Sequence, residues 1–230
     1  MRFAVIAAGE GSRLAGEGLA VPKPLVPLAG QPMIGRLLDI MHNGGAESIA
    51  VIVNPANVCT VEYLESLRNR IPLDVVVKST ESSMHSLYEL IPYLNGERFC
   101  VTTVDTVFRT DEFHRYLDCL NGSCADGVMG VTDFIDDEKP LYVGVGPTMD
   151  VTGFYDNENG CRYVSGGIYG LRRNALPVLE RCVEQGQSRM RSFQRQLVAS
   201  GLHLQAFAFS GIIDVDHVSD IAKAEELIME

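Results

Sequence analysis

Six apolar residues stand together at positions 3–8, FAVIAA, with no polar alternation. Such a run suits a strand buried on both faces, as in the middle of a parallel sheet. It breaks directly into Gly9-Glu10-Gly11-Ser12-Arg13 and a glycine-dotted loop that closes on Lys23-Pro24-Leu25. A buried strand feeding a glycine-rich loop with two cations is an arrangement for handling phosphate. The glycines let backbone N–H groups approach an anion, and the cations offset its charge. The stretch from Arg2 to Pro27 is the one around which the rest of the chain has to be organised.

Downstream, Met33, Ile34, Leu37, Leu38 and Met41 recur at helical spacing and predict a helix over residues 31–43, with Gly44-Gly45 as its stop. Apolar runs at 49–53, 73–77 and 98–104 predict strands, the last ending at Asp105, and helical patterns fill 58–70 and 83–94. Strands alternating with helices give a parallel sheet of right-handed crossovers. The rhythm changes from Asp126 to Gly170, where strand-like segments at 127–132, 142–145, 151–155 and 163–169 are punctuated by Gly, Pro, Asp and Asn. That pattern predicts antiparallel or mixed pairing laid over one end of the parallel sheet. Helices at 174–184 and 190–199, a strand at 204–209 and a helix at 221–228 close the chain. No internal repeat, low-complexity segment or linker interrupts it. One α/β domain over 1–230 is expected, with residues 1–125 forming one half and 126–230 the other.

Composition narrows the partners. The 230 residues carry a net charge of −11, so the protein gains no nonspecific grip on nucleic acid or anionic membrane, and neither is expected as a partner. A phosphate ligand would therefore have to be met by a few local cations and a metal ion. Cys59, Cys100, Cys119, Cys124, Cys161 and Cys182 contain no Cys-x-x-Cys pair, which argues against a zinc framework and for reduced thiols. No run approaches the roughly 20 apolar residues of a membrane span, and the first apolar stretch is too short for a signal peptide. A cytoplasmic protein is expected.

Two familiar phosphate loops do not match. A dinucleotide fingerprint wants a third glycine where Leu14 stands, and a Walker loop wants Gly-Lys-Ser/Thr, which is absent. What remains is Gly-x-Gly-Ser-Arg with Lys-Pro-Leu ten residues after the arginine. This resembles the nucleotidyltransferase family that makes nucleotide-activated sugars, alditols and phosphocholine. The resemblance implies a three-layer, Rossmann-like (GT-A-like) fold with a mostly parallel mixed sheet and a small antiparallel region on the acceptor side. It makes residues 1–125 the nucleotide-binding half and 126–230 the acceptor-side half with a closing helix. It also implies nucleotide contacts from Ala8, Gly9, Gly11, Ser12 and Arg13. Arg13 would hold the outer phosphates, and Lys23 would lie near the α-phosphate and the second substrate's phosphate; these two are the catalytic candidates.

Asp105 ends its strand at the edge where ligands sit in open α/β sheets, and the resemblance makes it a magnesium ligand. Asp214 and Asp216 are two apart on a segment read as extended, which would put both side chains on one face. The family commonly supplies a second metal carboxylate from this place. His217 replaces the usual threonine, so the choice between Asp214 and Asp216 stays open. After the third strand, Glu81-Ser82-Ser83 enters a helix, and the resemblance puts base or ribose contacts at Glu81 and Ser83; capping of that helix is the plain alternative.

Glu138-Lys139-Pro140 looks like the family's sugar-holding tripeptide. It lies too early, before Tyr142-Val143-Gly144-Val145, and is read as a turn. Gly144, Gly166 and Gly167 are the acceptor-side candidates, because glycine lets a ligand approach the backbone. Arg172, Arg173, Arg189 and Arg191 have the charge for an anionic acceptor, although arginines at helix starts are usually solvated.

The implied reaction joins an NTP to a phosphomonoester, a sugar-1-phosphate or similar, giving a nucleotide-diphosphate product and pyrophosphate with Mg²⁺ as cofactor. Alternatives are a phosphocholine or alditol-phosphate cytidylyltransferase, a cofactor-type transferase such as a molybdopterin guanylyltransferase, and a nucleotide-sensing homologue without turnover. A homodimer is admitted, with the oligomeric state left open.

Overall fold

The computed structural model describes residues 1–135 and 139–229; Glu138, the first residue of the expected turn at 138–140, lies outside the described residues. Strand β1 (Arg2–Ala7) leads through the short helix α1 (Ser12–Gly16) and a 3₁₀ turn at Lys23–Leu25 to the ribbon β2 (Pro27–Leu28) and β3 (Gln31–Pro32). Helix α2 (Met33–Asn43), β4 (Ser48–Val53), α3 (Val58–Leu67), β5 (Leu73–Val77), α4 (Ser83–Leu90) and β6 (Arg98–Thr103) continue the alternation. Then come β7 (Thr106–Val107), α5 (Thr110–Gly122), β8 (Gly127–Thr132), β9 (Tyr142–Val145), β10 (Val151–Tyr155) and β11 (Tyr163–Arg172). The chain closes with α6 (Leu176–Glu184), α7 (Met190–Ala199), β12 (Leu204–Phe209), β13 (Ile213–Asp214) and α8 (Val218–Met229).

Among the described residues nine strands form one sheet, with β10-β9-β11-β6-β1-β4-β5 in line and β8 joining β11 to β12. β1 lies between β4 and β6, parallel to both, with Val5 opposite Val51 and Thr102. This explains the unbroken apolar run. Phe3, Val5 and Ala7 face a core built with α2, α3 and α5, while Ala4, Ile6 and Ala8 face one built with α4, α6 and α7. The fold is thus three-layered and mostly parallel, with β11 antiparallel to β6, β8 and β9, as the sequence led one to expect.

β11 is the joint between the two regions. Its Ile168–Arg172 end pairs with β6, and its Tyr163-Val164 end pairs with β9. Between them the register against β8 shifts. Gly167 lies in this shift with φ 72°, a left-handed conformation that suits glycine.

Three differences from the sequence reading have local causes. The helix expected over 83–94 gives way to a 3₁₀ turn at Ile91–Tyr93, where Pro92 cannot donate the hydrogen bond that would continue α4. The glycine-dotted loop contains α1, pinned by the buried Leu14. Finally, β13 stops at Asp214 and the chain turns at once, since Asp216 N donates to Asp214 O at 3.0 Å. The extended segment expected through Asp216 does not form.

Candidate active site

The carboxyl ends of β1, β4 and β6 open onto a cleft of ≈ 620 Å³. β1 delivers the glycine loop to its rim. Gly11 has φ 63°, and a Cβ there would lie 2.8 Å from Lys23 Cβ, so both the turn and the close approach of Lys23 require glycine. Gly9 has open space where its Cβ would be.

Lys23 reaches back under the loop. Its Nζ donates to Asp105 Oδ2 at 2.5 Å and to Asp216 Oδ1 at 2.7 Å, while Arg13 donates to Asp216 Oδ2 at 2.5 Å. The Lys23 side chain is 11% exposed. Burial opposes its charge, but the Asp105 charge and the hydrogen bonds to both aspartates outweigh it and raise its pKa. A lysine held charged between two carboxylates is fixed in position rather than free to sample solvent.

The β7–β13 ribbon brings the second carboxylate pair to the same place: Asp214 pairs with Thr106, one residue beyond Asp105, and Val215 N donates to Asp105 O at 3.0 Å. Thr106 Oγ1 donates to Asp214 Oδ1 at 3.0 Å. Surrounding protein and the Asp105 charge push the Asp214 carboxyl up to about 7, although the residue is exposed where it borders the smaller pocket described below. Asp216 faces the two cations. Asp220 takes the backbone N–H groups of Asp216 and His217, which holds this turn in shape.

Of the expected nucleotide contacts, Ala8, Gly9, Gly11, Ser12, Arg13, Glu81 and Ser83 all border the 620 Å³ cleft. The helix-capping alternative there belongs to Ser82, whose hydroxyl accepts from His85 N. Sequence reasoning missed Asn54 and Thr80, which border the same cleft, while Ser86, in the serine-containing run read from sequence as a nucleotide contact, borders it as well. Asn54 had a legible signal: it is the first polar residue after an apolar strand, at the same sheet edge as Asp105.

A smaller pocket of ≈ 170 Å³ adjoins the cleft and shares Arg13 and Asp216 with it. Its walls include Gly166, Asp214, Phe134, Lys139 and Pro140. Gly167 sits behind Gly166 with its absent Cβ 2.9 Å from Thr106 Oγ1, and does not border this pocket. Gly144 lies away from it on β9, where a Cβ would meet Thr152 and Tyr155. Lys139 and Pro140, read from sequence as part of a turn, stand on the pocket wall, with a bend at Lys139.

Among the described residues no group of three or more His, Cys, Asp or Glu side chains is set to hold a metal. Asp105 and Asp216 nonetheless present oxygens to one point, where Lys23 now sits. Magnesium is commonly held by one or two carboxylates together with water and substrate phosphates. The donor set fits that ion. The cysteines are all free thiols, and burial pushes Cys100 up to about 12. No helix among the described residues is long and apolar enough to cross a membrane.

The sequence profile of the MobA-like NTP transferase domain matches residues 3–200. The chain is 23% identical over 228 residues to the bifunctional protein GlmU of Methanococcus maripaludis, covering 96% of this chain and 52% of that protein. It is 28% identical over 151 residues to a 2-aminoethylphosphonate cytidylyltransferase of Lancefieldella rimae, covering 62% of this chain and 60% of that one. The chain thus spans about half the length of the GlmU proteins it matches. Among solved structures, the inositol-1-phosphate CTP transferase from T. maritima superposes with a TM-score of 0.81 at 18% identity, covering 99% of this chain and 97% of that one. The CTP:phosphocholine cytidylyltransferase from Streptococcus pneumoniae gives 0.76 at 17%, covering 98% and 97%. At these identities the two structures establish a shared fold.

Proposed function

Because the chain belongs to the MobA-like NTP transferase domain family, we propose that it joins an NTP to a phosphomonoester, releasing pyrophosphate and a nucleotide-diphosphate product. The observation that carries this reading is Lys23, clamped between Asp105 and Asp216 where the glycine-loop cleft meets the smaller pocket. Residues 1–125 are assigned to the nucleotide and 126–230 to the acceptor. The NTP lies along Ala8, Gly9, Gly11 and Ser12 with its base toward Glu81 and Ser83. The acceptor enters beside Gly166.

An oxygen of the acceptor phosphate attacks the α-phosphorus, and pyrophosphate leaves on the opposite side. The nucleophile is already anionic at neutral pH, so no general base is needed. The protein's work is positioning and charge neutralisation. Arg13 holds the departing phosphates. Lys23 offsets charge at the α-phosphate, and Asp105 and Asp216 keep its ammonium in place until substrate binds. Magnesium, held by Asp105 with Asp216 or Asp214, would neutralise phosphate charge when bound. An NTP-consuming enzyme with free thiols suits the cytoplasm.

The test is pyrophosphate release with each of four NTPs crossed against hexose-1-phosphates, phosphocholine, 2-aminoethylphosphonate and alditol phosphates, with and without Mg²⁺. Metal-dependent release with at least one pair supports the reading. Tight NTP binding with no release from any pair overturns it in favour of a sensing role.

A further inference from the structure

Beyond the acceptor pocket the described surface carries a second basin of ≈ 610 Å³, and the two share Lys139 and Pro140. Four of the basin's lining residues are cationic, Lys139, Arg189, Arg191 and Arg195, against two carboxylates, Asp156 and Glu158. In a chain with a net charge of −11 this local excess of positive charge runs against the average, so it calls for a specific account.

The cations are held by a framework. Asp156 Oδ1 lies 2.9 Å from Arg191 Nη1 and 2.7 Å from Arg195 Nη2. Arg191 also donates through Nη2 to Lys139 O at 3.1 Å, and Arg195 through Nε to Phe154 O at 3.1 Å. The first of these bonds ties the chain bend at Lys139, a wall of the acceptor pocket, to the start of α7. The side chain of Arg189, exposed at the same helix start, has no hydrogen-bond or ion-pair partner among the described residues. Pre-set guanidinium groups with an uncommitted one beside them suit bidentate capture of a carboxylate or phosphate.

We propose that this basin binds a second anionic group on the acceptor, a carboxylate or phosphate remote from the phosphate that reacts. The inference rests on the transferase reading, since it takes the smaller pocket as the seat of the reacting phosphate. The acceptor then extends from Gly166 past Pro140 toward Arg189, and its far end is read by charge. Arg172 has no part in this, because it is spent on Ala125 O, Ser123 O and Glu97.

Two measurements test the proposal. In the first, arginine side-chain ¹⁵N resonances of the full chain are followed during titration with inorganic phosphate at constant ionic strength, in the absence of nucleotide. Saturable shifts of Arg189 and Arg191 are expected, lost for Arg191 in Arg189→Glu. Shifts confined to Arg13, or matched by chloride, overturn the anion site. In the second, pyrophosphate release is compared across phosphomonoesters carrying no further charge, a carboxylate, or a second phosphate. The doubly anionic acceptors should show KM values at least about tenfold lower, since one charge-assisted contact is worth roughly that factor. Arg189→Glu should close that gap through KM rather than kcat. The ratio between the carboxylate and bisphosphate acceptors tells which group is preferred. Equal KM across the three classes, or a gap that survives Arg189→Glu, overturns the acceptor assignment. Absence of release with every acceptor would sink the transferase reading instead, and the phosphate titration is independent of that outcome.

Discussion

Glu17 Oε1 lies 2.5 Å from His217 Nδ1, and its other carboxylate oxygen accepts the Val218 N–H at 2.7 Å. One side chain thereby fastens the end of α1 to the start of α8, where an anion is favoured by the helix dipole. The hydrogen bond and charge of Glu17 raise the His217 pKa, and the same hydrogen bond holds Glu17 below the usual carboxylate range. Glu17→Ala should free the glycine loop. Limited proteolysis should cut between residues 9 and 22 several-fold faster, with NTP affinity reduced. Unchanged cleavage would show that the loop is held by Leu14 and Lys23 alone.

Lys23→Ala removes the cation shared by Asp105 and Asp216. Pyrophosphate release should fall by about 10²–10³-fold or more, the scale for losing one preorganised charge contact in a transition state. The two facing carboxylates should then accept a divalent cation more readily, so Mg²⁺ should raise Tm more in the variant than in the wild type. Asp105→Ala should likewise abolish release while the protein stays folded, and should remove the Mg²⁺ effect. Normal turnover in either variant would sink the mechanism.

The two loop glycines should separate. Gly11→Ala forces a Cβ into Lys23 at positive φ and should cost about 1–3 kcal/mol, as over-packing commonly does. Gly9→Ala meets open space, so Tm should hold while NTP affinity falls, because the proposed path of the NTP runs through that space. Thermal melts paired with NTP titration distinguish the two effects.

Glu112 is 7% exposed and accepts both the backbone N–H and the hydroxyl of Ser210, tying α5 to the segment that enters β13. Glu112→Ala should cost about 1.5–3 kcal/mol, the range for hydrogen bonds to a charged group. Urea unfolding measures it. A loss under 0.5 kcal/mol, the size of an ordinary surface substitution, would mean that the ribbon supports itself.

Hydrogen bonds from Arg195 and then Arg191 hold Asp156 below the usual carboxylate range. A depressed folded-state pKa adds stability above the unfolded value, about 3.9 for Asp. That contribution is lost as pH falls through the folded value. Asp156→Asn should therefore lower Tm at neutral pH, and the difference should close as the pH drops below about 4. A difference that persists at lower pH would assign the loss to packing.

The parts of this fold that were legible in sequence are those with enough residues to show a period. β1 announced itself through six apolar positions, and the helix beginning at Met33 through five apolar residues on one face. Elements without a period stayed hidden. α1 has five residues and one buried side chain, Leu14, while β7 and β13 are two-residue strands that exist only by pairing with each other. That ribbon is what sets Asp214 and Asp216 on different partners, so the two aspartates looked equivalent until the turn between them was known. The Gly-x-Gly-Ser-Arg and Lys-Pro-Leu signals were readable because loop chemistry restricts residue type. Glu17 and Glu112 were not, because their partners lie far along the chain and only folding introduces them.

β11 has a consequence for how such a protein can change. Its anchored end is stitched to β6 at the heart of the parallel sheet, and its free end carries β9 beyond the paired glycines. Arg189 and Arg191 border the outer basin and not the cleft lined by Lys23 and Asp105, whereas Lys139 borders both the basin and the smaller pocket. On the proposed reading, a lineage can exchange one acceptor for another by editing the arginines of that outer basin, while the residues assigned to the reacting phosphates are inherited intact.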